Sequence, residues 1–432
     1  VSFIGASAFD GCTSLVEVVF SPSTKKDAEG KLIEVDLEIG DEAFASCKAL
    51  TEIIIPGRAK KLGEYVFDGC SRLVTATFEE GVREIGDGVF KSCSSLVDVY
   101  FPASLEKFGT YDASGTLTGV SNAFKGCDSL ENINVDENNK TMMTESGLLY
   151  LIFETTTDAG EGKEPVKDVA YELIAAPLNK SGSVHIPAKT RKIWDYAFSD
   201  NTGITEITFG TDNKMAGTLE IGKFAFSQMA KLTSITLPEG LETINTWTFY
   251  GAIRDEDNVL ETIVIPYTVK KIDLLAFYSS TALKNVVFQP LPTVETEEER
   301  NALLKKYPLE LVDGATSGST KCGVFYYTMA LEMVELPERT TKIGSAAFYK
   351  SGIKKVVIPS TVTTLETDAF LECSNLKEVV FAENSKLTAI PAKCFEDTAI
   401  ESIVLPEGIK TISYAAFRNC KTLTSVTLPS TL

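Results

Sequence analysis

Nine cysteines, one histidine and 60 acidic residues are the groups of this 432-residue chain that could do chemistry. Seven of the cysteines (Cys12, Cys47, Cys70, Cys93, Cys127, Cys373 and Cys420) each stand three residues after a phenylalanine, and Met229, Ser280 and Ser351 hold the same place elsewhere. That tolerance suits a small core site better than a metal ligand, and no Cys-x-x-Cys pair occurs. Strands stacked about 4.8 Å apart would bring successive cysteines within disulfide reach, but free Cys also behaves as a small hydrophobe, and buried free thiols are the expectation. Cys322 and Cys394 fall outside this series.

The single histidine, His185, lies between Val184 and Ile186 at an outward strand position, with no second histidine in the chain. A nucleophile, base and orienting group therefore cannot be assembled around it. The run Gly217–Lys223 resembles a phosphate-binding loop, yet the Ser or Thr that would hold magnesium is replaced by Phe224. Asp255, Asp257 and the stretch Asp136–Asn139 offer oxygen ligands without the spaced loop of a dedicated calcium site. The expectation is a protein that is not an enzyme and holds no cofactor or metal.

Composition narrows the partners. With 41 basic against 60 acidic residues the formal charge is −19, and the pI is near 4.7. Nucleic acid is bound by clustered Lys and Arg, so it is not an expected partner. The longest unbroken apolar run, Leu148–Phe153, is far short of the roughly 20 residues that span a bilayer.

The cysteine spacing belongs to a repeat that must position everything else. Its phenylalanine recurs at Phe9, Phe44, Phe67, Phe90, Phe124, Phe198, Phe226, Phe249, Phe277, Phe348, Phe370, Phe395 and Phe417, with a base period of 23 and larger gaps where segments are inserted. Ala precedes this Phe in nine of the thirteen copies, which indicates a turn packed tightly on its neighbours. The Leu-x-x-Val-x-Phe phrase, as in Leu73–Phe78, alternates with strand periodicity. A Pro often follows and ends the ladder, since it lacks an N–H. A second short strand comes next, as in Val269–Ile272, and the Ala-Phe-x-x-Cys segment returns the chain through a single helical or 3₁₀ turn. One coil cannot bury its own Phe and Leu, whereas stacked coils bury them in a continuous core.

The phrase Ile39-Gly40-x-x-Ala43-Phe44-x-x-Cys47-x-x-Leu50-x-x-Ile53-x-Ile55-Pro56 resembles the BspA-type leucine-rich repeat. This subclass, with repeats of the same length, occurs in surface proteins of host-associated anaerobic bacteria and some protozoan parasites. The resemblance implies a β-rich, right-handed leucine-rich-repeat solenoid of about 13–15 coils with short helical turns. It also implies an extracellular, cell-surface location and a non-enzymatic binding role. It implies no particular ligand; a protein or glycoprotein of a host or neighbouring cell is the expected kind of partner, and a structural stalk within a larger surface protein is the alternative.

Residues 1–432 are expected to form one solenoid, begun and ended in mid-repeat like a fragment of a longer chain. Two stretches interrupt it. Residues 136–183 are expected as a hairpin-type variant coil, with Leu148–Phe153 pairing with Tyr171–Ala176. Residues 289–330 are expected as an insertion with a helix from Glu297 to Tyr307, capped by Thr296 and Glu299 and stopped at Pro308. Such excursions serve either as binding features or as decoration. The outward strand positions read polar in the middle, with Asp98, Tyr100, Asn132, Asn134 and His185 as the candidate binding patch, and valine-rich later. Strand propensity alone accounts for the valines.

Overall fold

The computed structural model describes residues 2–120, 122–157, 166–210, 219–251, 260–314 and 321–432. Asp255, Asp257, Gly217 and the tip of the hairpin loop at 158–165 lie outside them. The chain forms two compact units, Val1–Ser181 with Lys189–Thr202, and Gly182–Ala188 with Gly203–Leu432.

In the first unit the alternating phrases form a parallel sheet of Glu52–Ile55, Thr75–Phe78, Asp98–Phe101 and Asn132–Val135. Register follows the repeat, with Glu52 beside Thr75 and Thr75 beside Asp98. The next step, Asp98 beside Asn132, is longer because the small antiparallel pair Thr110–Tyr111 and Leu117–Gly119 intervenes. The second short strands make their own parallel sheet, which includes Leu37–Ile39, Ala59–Leu62 and Glu84–Ile85. Inward residues of both sheets, such as Ile53, Ile55, Leu62 and Ile85, are buried in one core. The second unit repeats the plan, with Thr262–Ile265, Asn285–Phe288, Met333–Glu335, Lys355–Ile358 and Glu378–Phe381 in one sheet.

The Ala-Phe-x-x-Cys segment is not the expected helical turn but a run of tight turns. Alternate N–H groups point along the stack: Glu42, Phe44 and Ser46 donate to the carbonyls of Glu64, Val66 and Asp68 in the next coil. The N–H groups between them, on Ala43 and Ala45, close turns onto Gly40 and Glu42. A helix would turn every N–H inward along its own axis and leave the neighbouring coil without donors. Alternation requires left-handed residues, and Glu42 and Ser46 have φ of 55° and 56°.

Inside these turns the phenylalanines stack. Ring centroids of Phe9, Phe44, Phe67 and Phe90 are separated by 5.1, 5.8 and 5.9 Å, and those of Phe249, Phe277, Phe325 and Phe348 by 5.3, 5.1 and 5.1 Å. Each pair adds roughly 0.5–1.5 kcal/mol beyond its burial. Phe325 is a member of the column that the sequence reading placed within an insertion. Leu309–Leu311 also pairs with the flanking second strands, Lys271 beside Glu310 and Glu310 beside Lys342. The excursion is therefore 289–308, and the stretch that follows is a coil.

The helix is Glu297–Lys306, with the capping box of Thr296 and Glu299 in place and Tyr307 as its C-cap. The expected hairpin is also present: Leu148–Thr157 pairs antiparallel with Val166–Ala175, which runs parallel to Thr190–Ile193. Glu172 fastens it to that coil, accepting from Arg191 Nε and Trp194 Nε1, each at 2.9 Å.

The Ile-Gly position shows how close the coils are. A Cβ on Gly86 would lie 2.5 Å from the Gly63 carbonyl oxygen and 2.6 Å from its carbon. In urea titrations we expect Gly86→Ala to cost roughly 1–3 kcal/mol by overpacking. Phe90→Ala should cost about 3–5 kcal/mol as a large-to-small core change. An unchanged midpoint in either would mean that the coil contact is not as tight as described.

Candidate functional site

The repeating strands present every second side chain outward, so the sheet face of the first unit is a grid. One column is Glu52, Thr75, Asp98 and Asn132; the next is Ile54, Thr77, Tyr100 and Asn134. Strand register thus brings Asp98 beside Asn132 and Tyr100 beside Asn134. The Asn132 side-chain amide donates to Asp98 Oδ1 at 2.8 Å, which fixes both side chains on the surface. Asn134 donates its side-chain amide to the Val99 carbonyl at 3.2 Å. Tyr100 is 43% exposed between the threonine and asparagine strands. The patch offers a carboxylate, amides, hydroxyls and one aromatic ring, which is hydrogen-bonding and stacking chemistry rather than bond-breaking chemistry.

The fifth sequence-predicted residue, His185, lies in the second unit on the strand Ser181–Ile186. It is exposed, and its Nδ1 meets Thr208 Oγ1 at 3.0 Å on the neighbouring strand. Ser183 donates to Glu206 Oε2 at 2.6 Å in the adjacent column. Further along that unit the outward column is apolar, with Val264, Val287, Val380 and Val404 all exposed. Asp136 Oδ1 accepts from the backbone and side-chain N–H of Asn138, and the Asn139 side-chain amide donates to the Pro102 and Leu105 carbonyls. That stretch is a turn.

The cysteines have a role that sequence reading did not supply. Cys47, Cys70, Cys93 and Cys127 each donate Sγ–H to the phenylalanine carbonyl of the preceding coil, Phe9, Phe44, Phe67 and Phe90, at 3.3, 3.2, 3.0 and 3.0 Å. Ser280 makes the same bond to Phe249 at 2.6 Å. Where Cys or Ser holds the position it supplies a small donor, and the recurrence of Ser in it was the available signal. Cys12 is exposed and Cys420 half-buried, and the other seven cysteines are buried. Burial pushes the Cys47 thiol up to about 11 and those of Cys70 and Cys373 up to about 12. Among the described residues, no group of three His, Cys, Asp or Glu could hold a metal ion, and no helix is long and apolar enough to cross a membrane.

Parallel strands at a period of 23, with a turn ladder and a core of recurring Leu and Phe and, in most coils, a small residue at the Cys position, define a leucine-rich-repeat protein. The chain belongs to the BspA-type family: the description "BspA type Leucine rich repeat region (6 copies)" matches residues 1–116, 37–146, 178–298 and 318–424. Among solved structures it is similar to a leucine-rich repeat protein from Bacteroides ovatus, with 20% identity and a TM-score of 0.50 over 96% of this chain and 89% of that one. It is also similar to the pneumococcal vaccine antigen PcpA, with 18% identity and a TM-score of 0.51 over 89% and 85%. A leucine rich cell surface protein from Faecalibacterium prausnitzii has 20% identity and a TM-score of 0.46 over 88% and 77%. At these identities the likeness is one of fold. No curated protein matches the chain.

The thiols give a pH dependence. A folded-state pKa raised above the unfolded value favours the protonated fold, so this stabilisation is complete below the unfolded value and is lost as pH rises through the folded one. Unfolding free energy from urea titrations should therefore decline between pH 9 and pH 12, the window set by Cys47, Cys70 and Cys373. At pH 8 a thiol reagent should modify Cys12 quickly, Cys420 more slowly and the buried thiols only after denaturation. Fast reaction of Cys70 or Cys93 in the native chain would contradict their burial.

Proposed function

We propose that this chain is a non-enzymatic binding module of a cell-surface adhesion protein, and that the outward sheet face of the first unit engages a protein or glycoprotein of a host or neighbouring cell. The observation that carries this reading is the fixed pair Asp98 and Asn132 beside the exposed Tyr100, on a rigid sheet that supplies no reactive set. Aromatic anchors amid ordered polar groups are the usual energetic centres of recognition surfaces. Membership of a repeat family supports a binding role, and the printed description of the pneumococcal relative as a vaccine antigen supports extracellular placement. In this reading the coils wind right-handed, the hand of nearly all parallel strand connections.

The test is binding of the purified chain to immobilised matrix glycoproteins, mucins and glycans at low and physiological salt. Saturable binding should persist at physiological salt and weaken about tenfold or more in Tyr100→Ala, the loss of roughly 1.4 kcal/mol or more that a hot-spot truncation brings. Binding that disappears with salt, or that is indifferent to Tyr100, would overturn the assignment of this face. Absence of binding to every surface would instead support a spacer that carries another module.

A further inference from the structure

After Phe288 the chain leaves its coil and passes back over the outward sheet face as the helix Glu297–Lys306. Between helix and sheet lies a cavity of about 650 Å³. Its floor includes Val287 and Met333, its roof Leu303 and Leu304, and one wall is Pro290–Val294. A helix laid on a sheet ordinarily buries an apolar stripe, yet this one buries no residue, and Val287 and Met333 beneath it are 47% and 46% exposed. Struts hold it off the sheet. Arg300 pairs with Glu338 near its start, and the Tyr307 ring stands edge-on to Tyr267 at 5.4 Å at its end. The volume lies within the range of ligand sites, about 300–1,000 Å³.

Three features of the walls identify the occupant. Leu291, Thr293 and Val294 have backbone N–H groups that bond to no described residue, so this wall carries unpaired main-chain donors. Gln289, at the head of that wall, has a buried side-chain oxygen without a partner. On the floor, Glu335 is exposed and forms no ion pair among the described residues, while Arg300 and Glu338 neutralise one another. The buried Arg339 donates its two terminal nitrogens to the Val269, Pro266 and Tyr307 carbonyls, and its Nε has no partner among the described residues. An apolar small molecule would fill the space but leave the main-chain donors and Glu335 unanswered. A peptide answers all three, because its carbonyls meet the main-chain donors, a main-chain N–H can meet the Gln289 oxygen, and a basic residue meets the acid, while alternate side chains fill the apolar space.

We propose that the cleft between this helix and the sheet binds an extended segment of a partner protein, apolar at alternate positions and carrying a Lys or Arg that reaches Glu335. This site belongs to the second unit and stands independently of the Tyr100 face.

The probe is an array of acetylated, amidated hexapeptides presented to the full chain, with the strongest binder then titrated in solution. Leu, Ile, Val or Met should be selected at alternate positions, with Lys or Arg between them. Leu304→Asp should weaken the titrated peptide at least tenfold with little shift in the melting temperature, because Leu304 is only half-buried and no residue of the helix is fully buried. Glu335→Gln should remove the preference for Lys and Arg while keeping the apolar one. Val404→Asp, at a 65% exposed position outside the cleft lining, should bind as the parent does. An array without this selection, or a peptide indifferent to Leu304→Asp, would overturn the proposal. So would anilinonaphthalene sulfonate fluorescence that Leu304→Asp abolishes when no peptide is selected, because the cleft would then be a small-molecule pocket.

Discussion

Everything in this molecule depends on how closely the backbone of each coil approaches the one before it. Hydrogen bonds join neighbouring coils along the first strand, along the second strand and through the turn between them. That third contact goes with Gly after the second strand in the coils of Gly40, Gly63 and Gly86, a small residue before the core Phe, left-handed residues in the turn and, in most coils, a short donor at the Cys position. Where an excursion breaks the ladder, stranded carbonyls need another donor. Buried side chains supply it: Arg58 reaches the carbonyls of Ser21 and Val35, and Asn201 those of Pro177, Leu178 and Lys180. These substitutes keep the core continuous through insertions that would otherwise open it.

The same constraint separates structure from function. Inward and turn positions are committed to stacking, so only the outward strand positions and the excursions are free to vary in chemistry. In the first unit those positions became polar around Tyr100; further along the second they became largely apolar, with a helix raised above part of them. A rigid scaffold of this kind loses little conformational entropy on binding, since its recognition groups sit on strands rather than mobile loops.

Most of the fold was legible because a stacked architecture writes its register into the chain as a period. The strands, the capped helix and the pairing of Leu148 to Phe153 with the return strand followed from local patterns alone. Phe325 escaped because its coil is stretched: fourteen residues separate it from Leu311, where five separate Phe348 from Ile343, and Thr328 stands at the Cys position. The turn conformation escaped for a different reason. Its left-handed residues answer donors and acceptors of the next coil, and no local propensity encodes that demand. For the site, alternation placed Asp98, Tyr100, Asn132 and Asn134 on one face. The cleft was not legible, because it arises from where an excursion returns, not from which residues it contains.

The central claim is that recognition takes place on the outward polar face of the first unit. Hydroxyl-radical footprinting of the chain, alone and saturated with whichever glycoprotein or mucin it binds, tests this directly. The account predicts that Tyr100 loses reactivity on binding while Tyr414, 70% exposed in the second unit, keeps it. Undiminished labelling of Tyr100 in the complex, with protection confined to turn residues or to the second unit, would contradict it.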